Sequence, residues 1–251
     1  MATSYDFDAA EWLRRWDVQQ EGYVPDREAM FDLMFDVVDG LGAAPGRLLD
    51  LACGPGSLAR RALARFPGAQ VTGVDFDPVM LELARRTTGD AASWVDADLS
   101  GPEWTDVVGD RYDAAVSATA LHWLAADDLP GFAEALASVL RPGGVFVDFD
   151  TLKADPEPAR LAAMTAELRI ARTEARTGSS DFEDFQAWWA AVVREPALAD
   201  VVADRERRFA GRERSGGSTI GQWEAALRGA GFAEVGTVTQ LLDRRMLAAI
   251  R

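Results

Sequence analysis

Between Arg47 and Asp150 short apolar runs alternate with longer segments of helical spacing. The runs are RLLDL (47–51), QVTGVD (70–75), ASWVD (92–96), YDAAVS (112–117) and GVFVDFD (144–150). Strands buried on both faces need near-continuous apolar runs, and the helices between them supply the cover, so the pattern predicts a mostly parallel sheet inside an α/β fold. The punctuation agrees: Gly54 and Gly56 open the first crossover, Asp77-Pro78 reads as an N-cap followed by a first-turn proline, and Pro142-Gly143-Gly144 turns into the fifth strand.

Residues 156–208 break this rhythm, because Leu161, Met164, Leu168 and Ala175 recur at helical spacing where another strand is due. Ser180 with Glu183 reads as a capping box for a second helix carrying Phe182, Phe185, Trp188, Trp189 and Val192, and Pro196 opens a third. The Gly178 and Gly216-Gly217 regions read as loops or hinges. Thr219 and Gln222 form another capping box, for a helix that runs through Trp223 and Leu227 and stops at Gly229 and Gly231. Two last strands, FAEVGTVTQ (232–240) and RRMLAAI (244–250), are joined too closely for a parallel crossover and must form an antiparallel hairpin.

A length of 251 residues suits one α/β domain with an insertion. The net charge of -15 opposes long-range approach to nucleic acid or an anionic membrane, so neither is an expected partner. The one dense basic run, Arg205 to Arg214, is broken by Glu206 and Glu213 and reads as the solvated face of a helix. Cys53 is the single cysteine, which leaves no disulfide or cysteine-rich metal site to expect and fits a reducing compartment. With no basic-then-apolar leader pattern and no run of about 18 apolar residues, a cytoplasmic location is the expectation.

In LLDLACGPGSLA (48–59) the glycines stand between a buried strand and a helix, where a missing Cβ lets a ligand approach the backbone. A nucleotide-like ligand is implied. Gly54-x-Gly56-x-x-Ala59 also matches a dinucleotide fingerprint, with Asp75 at about the 20-residue spacing of its ribose acid, so an NAD-dependent oxidoreductase is one reading. Against it, Asp50 at the strand end suits a ligand's amino group and repels a pyrophosphate, Asp98 in VDADL can accept from an adenine amine, and no Tyr-x-x-x-Lys pair exists because Lys153 is the only lysine.

LLDLACGPG, GVDFDPVMLELAR, VDADL and SATALHWL resemble class I S-adenosylmethionine-dependent methyltransferases, in particular the trans-aconitate methyltransferase-like small-molecule group, over roughly 47–150 and again over 218–251. The resemblance implies a Rossmann-like seven-stranded sheet whose last strand is antiparallel. It implies that Asp50, Ala52 and the Gly54–Gly56 loop hold the methionine part of the cofactor, Asp75 the ribose hydroxyls, Phe76, Asp98 and Leu99 the adenine, and that Ser117 and Ala118, in the stretch to Ala120, pass beneath the sulfonium end. Ala52 departs from the family pattern, in which a first glycine is common. The implied organisation is one domain, with a helical cover (1–45), a cofactor-binding core (46–150), a helical insertion acting as an acceptor lid (151–217), and a closing helix and hairpin (218–251).

The implied reaction is in-line displacement by an oxygen, nitrogen or carbon nucleophile of a small-molecule acceptor, leaving S-adenosylhomocysteine. His122, the only histidine, follows the fourth strand and is the candidate general base, with a structural histidine as the alternative. Tyr23, Trp123 and Trp188 are candidates for the acceptor pocket, although core packing explains Trp188 or Trp189 as well, since neighbouring helical positions point about 100° apart. Arg27 can pair with the cofactor carboxylate or with a substrate anion, or can be a surface arginine, and Tyr5, Trp12, Trp16 and Tyr23 suggest an aromatic cover or a packed terminal helix. Cys53, inside the cofactor loop without a basic partner, reads as a packing residue. The abundance of alanine, arginine and glycine suits a bacterial source. A catalytically silent cofactor-binding protein is the reading from a different class.

Overall fold

The computed structural model describes residues 7–42, 44–156, 158–179, 181–212 and 217–251. Tyr5, Ser180, Glu213, Arg214 and Gly216, all of which carry expectations above, lie outside the described residues. Two helices, α1 (Ala9–Tyr23) and α2 (Arg27–Gly42), precede an alternating series: β1 (Arg47–Leu51), α3 (Ser57–Arg65), β2 (Gln70–Asp75), α4 (Pro78–Thr88), β3 (Ala92–Asp96), α5 (Trp104–Val108), β4 (Tyr112–Ala118), α6 (Leu129–Val139) and β5 (Leu140–Thr151). The insertion supplies α7 (Ala159–Thr177), α8 (Phe185–Arg194) and α9 (Ala199–Phe209), and α10 (Ile220–Gly229), β6 (Glu234–Leu241) and β7 (Arg244–Ile250) close the chain. No helix among the described residues is long and apolar enough to cross a membrane.

The seven strands lie in the order β3-β2-β1-β4-β5-β7-β6. The β1–β5 pairings are parallel, and β7 runs antiparallel to both β5 and β6. The order reverses between β1 and β4, and in such sheets ligands bind at the carboxyl ends of the strands beside that switch point. Alternate residues of the central strands feed two cores. Leu49, Leu51, Phe146 and Leu247 pack with Phe132, Leu136 and Trp223 on one face, whereas Leu48, Val116, Val147 and Met246 pack with Phe31, Met34, Phe35 and Leu58 on the other. A third cluster, Trp12, Val79, Leu83, Trp188, Val192 and Val202, binds α1 and the insertion to α4.

Local signals set several boundaries as expected. Asp77 caps α4 by accepting from the Val79 N–H (2.9 Å) ahead of Pro78, and Thr219 and Gln222 make the reciprocal capping box of α10. The hairpin turns at Leu242, whose φ of 57° lies in the left-handed region.

Three boundaries and burials differ from expectation. The fifth strand begins at Leu140 and runs through Pro142-Gly143-Gly144, because the Gly143 N–H donates to the Arg251 carbonyl (2.6 Å) and the Arg251 N–H to the Gly144 carbonyl (2.9 Å), which draws the turn into the ladder. α8 begins at Phe185, capped by Asp184 accepting from the Ala187 N–H (2.7 Å), while Glu183 forks onto Arg15 (2.5 and 3.0 Å). α7 is helical as its spacing predicts, yet Leu161, Met164 and Leu168 are exposed and the helix buries none of its residues.

Candidate active site

The carboxyl ends of β1 and β2 meet in a loop whose conformation depends on small residues. Ala52, Gly54 and Gly56 all have positive φ (53°, 54° and 83°), so the chain turns sharply from β1 into α3. Ala52 occupies a conformation that favours glycine, which explains the glycine usual there. A Cβ added at Gly54 meets nothing within 4 Å, so the backbone there stands bare. Asp75, at the end of β2, braces the loop: its Oδ2 accepts from the Gly54 N–H (2.7 Å) and its Oδ1 from the Asp77 N–H (2.8 Å). Burial raises Asp75 to about 6 against the pull of those hydrogen bonds.

Asp50 is buried on β1, and its Oδ2 has no hydrogen-bond partner. Burial, opposed by the Ala59 backbone and reinforced by the Asp75 charge, pushes its carboxyl up to about 8. A carboxylate so placed is stabilised by a cation or a hydrogen-bond donor arriving from outside. Ser117 on β4 is also fully buried with an unpartnered Oγ, and Ala118 follows it, half-buried. Arg27 is no surface arginine: it is buried, ion-paired to Asp17 (2.9 Å), stacked over Phe31 (4.5 Å), and keeps an unpartnered Nε. Its charge also reaches Asp50. Cys53 is buried, and burial pushes its thiol well up, which suits a packing residue and opposes a nucleophilic role.

His122 acquires a partner that could not be identified from its neighbours in the chain. Its Nδ1 lies 2.8 Å from Asp150 Oδ1, and its backbone N–H donates to Asp150 Oδ2 (2.9 Å). The Thr151 N–H also donates to Asp150 Oδ1 (2.6 Å), so the buried carboxylate at the end of β5 is clamped. The imidazole is half-buried, with Nε2 left for a second partner. Burial disfavours the imidazolium, but the Asp150 hydrogen bond and charge overcome it and hold His122 above its ordinary value. Asp148, two residues earlier on the same strand, is fully buried with both oxygens unpartnered, and burial together with the Asp150 charge raises its carboxyl well above the usual range. Two aspartates at alternate positions of an apolar strand were the available sequence signal for this pair.

The remaining pocket candidates divide. Trp123 is exposed beside His122, with ring centroids 5.2 Å apart. Tyr23 links three segments: its hydroxyl accepts from the Phe185 N–H (3.1 Å), its carbonyl from Arg244 (2.7 Å), and its ring meets Phe182 edge-on. Trp188 is fully buried against Trp12, Trp16 and Trp189, so it is core packing rather than a pocket wall.

Three arginines of the basic run meet acidic partners on the core instead of forming a purely solvated face, whereas Arg207 is exposed. Arg205 bonds Asp77 (2.5 Å), Arg208 forks onto Asp96 (2.6 and 2.9 Å), and Arg212 forks onto Asp98 (2.8 and 3.0 Å). Burial pushes Asp98 up, but Arg212 and the Ser100 hydrogen bonds leave it below its ordinary value. Phe76 lies under this helix, 5.5 Å from Phe209, and Leu99 is buried next to Asp98. Arg205, Arg208 and Phe209 share one face of α9, a spacing that was readable in the sequence, and Arg212 follows the helix after the turn at Gly211.

A family model described as "Methyltransferase domain" matches residues 48–144. Trans-aconitate 2-methyltransferase of Streptomyces coelicolor is 33% identical over 148 residues, covering 57% of this chain and 44% of that protein. The trans-aconitate 2-methyltransferases matched are covered over 38% to 58% of their length, so the chain spans only about half of them. Ubiquinone biosynthesis O-methyltransferase of Xanthomonas campestris pv. campestris is 32% identical over 185 residues, 73% of this chain and 74% of that protein. The fold is shared with DesVI of Streptomyces venezuelae (TM-score 0.62, 17% identity, 98% of this chain and 99% of that one) and with human N-acetylserotonin methyltransferase, solved with SAM (TM-score 0.57, 16% identity, 97% and 56%). A relative aligned over about three quarters of both chains, together with the domain match on the glycine loop and β2–β5, places the identity beyond fold likeness: the chain belongs to the class I S-adenosylmethionine-dependent methyltransferases.

Proposed function

We propose that this protein transfers the methyl group of S-adenosylmethionine to a small-molecule acceptor and releases S-adenosylhomocysteine. The observation that carries the reading is Asp50, a buried strand-end carboxylate with an unpartnered oxygen beside the bare backbone of Gly54. A ligand ammonium satisfies that oxygen and draws the raised Asp50 carboxyl back to its charged form, whereas a pyrophosphate brings further negative charge beside Asp50 and Asp75 and no cation for either, which leaves the dinucleotide reading without support.

Asp50, Ala52 and the Gly54–Gly56 loop would hold the methionine portion of the cofactor, with Arg27 near its carboxylate and Ser117 and Ala118 beneath the sulfonium. Asp75 retains acceptor capacity for the ribose hydroxyls after its two backbone bonds. Phe76, Asp98 and Leu99 would meet the adenine. When bound, the cofactor supplies an electrophilic methyl on a positively charged sulfur. The chain's part is to align the acceptor with the carbon–sulfur bond and to exclude water. Residues 1–45 and 151–217 would cover a core of 46–150, closed by 218–251, and Tyr23, His122 and Trp123 would border the acceptor.

For an acceptor that carries a proton, His122 takes it on Nε2 while Asp150 holds Nδ1 in the donor tautomer and stabilises the imidazolium. A carboxylate acceptor needs no base and relies instead on cations such as Arg27 and Arg244. Relatives named for trans-aconitate and for ubiquinone biosynthesis support a small organic acceptor. A bacterial cytoplasm is the setting this reading implies, supported by the bacterial relatives and the lone buried thiol.

The test is incubation with methyl-labelled S-adenosylmethionine and a panel of carboxylates, phenols and amines. Label entering one acceptor class, with S-adenosylhomocysteine released in step, is the expected result. Cofactor binding with no transfer across all three classes would overturn the activity and leave a silent binding protein.

A further inference from the structure

The place that the cofactor reading assigns to adenine is taken by one of the protein's own side chains. Arg212, just beyond α9, donates two hydrogen bonds to Asp98, Nη1 to Oδ2 at 2.8 Å and Nη2 to Oδ1 at 3.0 Å. Its guanidinium also lies over the Phe76 ring, 4.5 Å from the centroid. A flat group that presents N–H donors along one edge and stacks on an aromatic face reproduces what an adenine ring would offer these residues. The rest of the helix is fastened to the same strand ends. Arg208 reaches Asp96 and the Phe76 carbonyl (3.1 Å), Arg205 reaches Asp77, and Phe209 packs on Phe76. Arg205, Arg208 and Arg212 thus pair in series with Asp77, Asp96 and Asp98, at and just beyond the ends of β2 and β3.

We propose that Arg212 is an internal stand-in for adenine: it competes with the ring for Phe76 and Asp98, and an S-adenosyl ligand binds by displacing it and lifting the end of α9. This rests on the cofactor reading above. Arg212 and Asp98 are 39% and 35% exposed as side chains, so the pairing is screened and yields to a ligand. Because apparent affinity falls by the fraction of molecules in which the subsite is closed, deleting the plug tightens binding by about three- to tenfold.

Isothermal titration with S-adenosylhomocysteine on the wild type, Arg212→Ala, Arg212→Lys and Arg207→Ala tests this, with circular dichroism verifying the fold of each. Arg207 is 71% exposed and, among the described residues, pairs with Asp204 on its own helix, so Arg207→Ala removes the same charge without deleting a contact to Phe76 or Asp98. The expected order is Arg212→Ala tightest, Arg212→Lys between, and Arg207→Ala equal to the wild type. Unchanged or weaker binding by Arg212→Ala overturns the proposal, and weaker binding would make Arg212 a cofactor ligand. Equal tightening in Arg212→Ala and Arg207→Ala reduces the effect to net charge and also overturns it. Absence of binding in all four folded proteins removes the cofactor reading itself, an outcome distinct from the others.

Discussion

Asp50→Asn should make the protein more stable and less able to bind its cofactor. The Asp50 carboxyl is raised to about 8, with burial the largest cause, whereas in the unfolded chain it titrates near 3.9. The sign follows from proton uptake: as pH rises above about 4 the unfolded chain gives up this proton while the folded protein keeps it, so stability is lost progressively until about pH 8. From about 4 to about 8 is about four units, at about 1.36 kcal/mol each, so the upper bound is about 5 kcal/mol, and relaxation and water entry bring the expectation to about 2–3 kcal/mol. Asparagine does not titrate, so the variant should melt about 5–10 °C above the wild type at pH 8, with the gap closing toward pH 4. Asp148, also buried and raised, is present in both proteins and cancels in the difference. The same substitution removes the carboxylate proposed to face the cofactor ammonium and should weaken binding by about 1.5–3 kcal/mol. Thermal melts from pH 5 to 8.5, with isothermal titration at pH 8, check both halves. Parallel pH profiles for the two proteins would refute the electrostatic reasoning, and equal cofactor affinity would refute the assignment.

Asp75→Ala should lower cofactor affinity by about 1.5–3 kcal/mol by deleting a charge-assisted acceptor, and unchanged affinity in a folded variant would sink the ribose assignment. Asp150→Asn should lower the titration midpoint of His122, read by NMR from the only imidazole in the chain, and shift the rising limb of the pH–rate profile toward lower pH. The stabilising part of that pair is present below the unfolded histidine pKa of about 6.5 and disappears as pH rises through the raised folded value, and an unmoved midpoint would free His122 from Asp150. Ala52→Gly should relieve left-handed backbone strain, partly offset by the greater freedom of glycine when unfolded, for a net gain of up to about 1 kcal/mol in melts; a clear loss would show that the methyl group packs usefully.

The strands and hairpin were readable because their causes are local. β1 to β4 follow short, mostly apolar runs, and a two-residue link between β6 and β7 permits only an antiparallel turn. The start of β5 was not readable, since it depends on Arg251 pairing across more than a hundred positions with Gly143 and Gly144. The same holds for function. Asp50, Gly54, Gly56 and Asp75 sit in short motifs whose spacing carries their chemistry, but the partners Asp96 and Asp98 of Arg208 and Arg212 lie 112 and 114 positions away. A basic run considered alone looks like a solvated face, and the acidic strand ends convert it into a cover. His122 and Asp150, 28 positions apart, meet because β4 and β5 are parallel neighbours. Trp188 and Trp189 could not be separated by pattern, because which one turns inward depends on where Asp184 starts the helix.

Isothermal titration of the wild-type protein with S-adenosylmethionine, S-adenosylhomocysteine and NAD under identical conditions tests the central claim most directly. Saturable binding of both S-adenosyl compounds at one site per chain, with no heat from NAD, is the predicted result; binding of NAD alone, or of none of the three by folded protein, would contradict it.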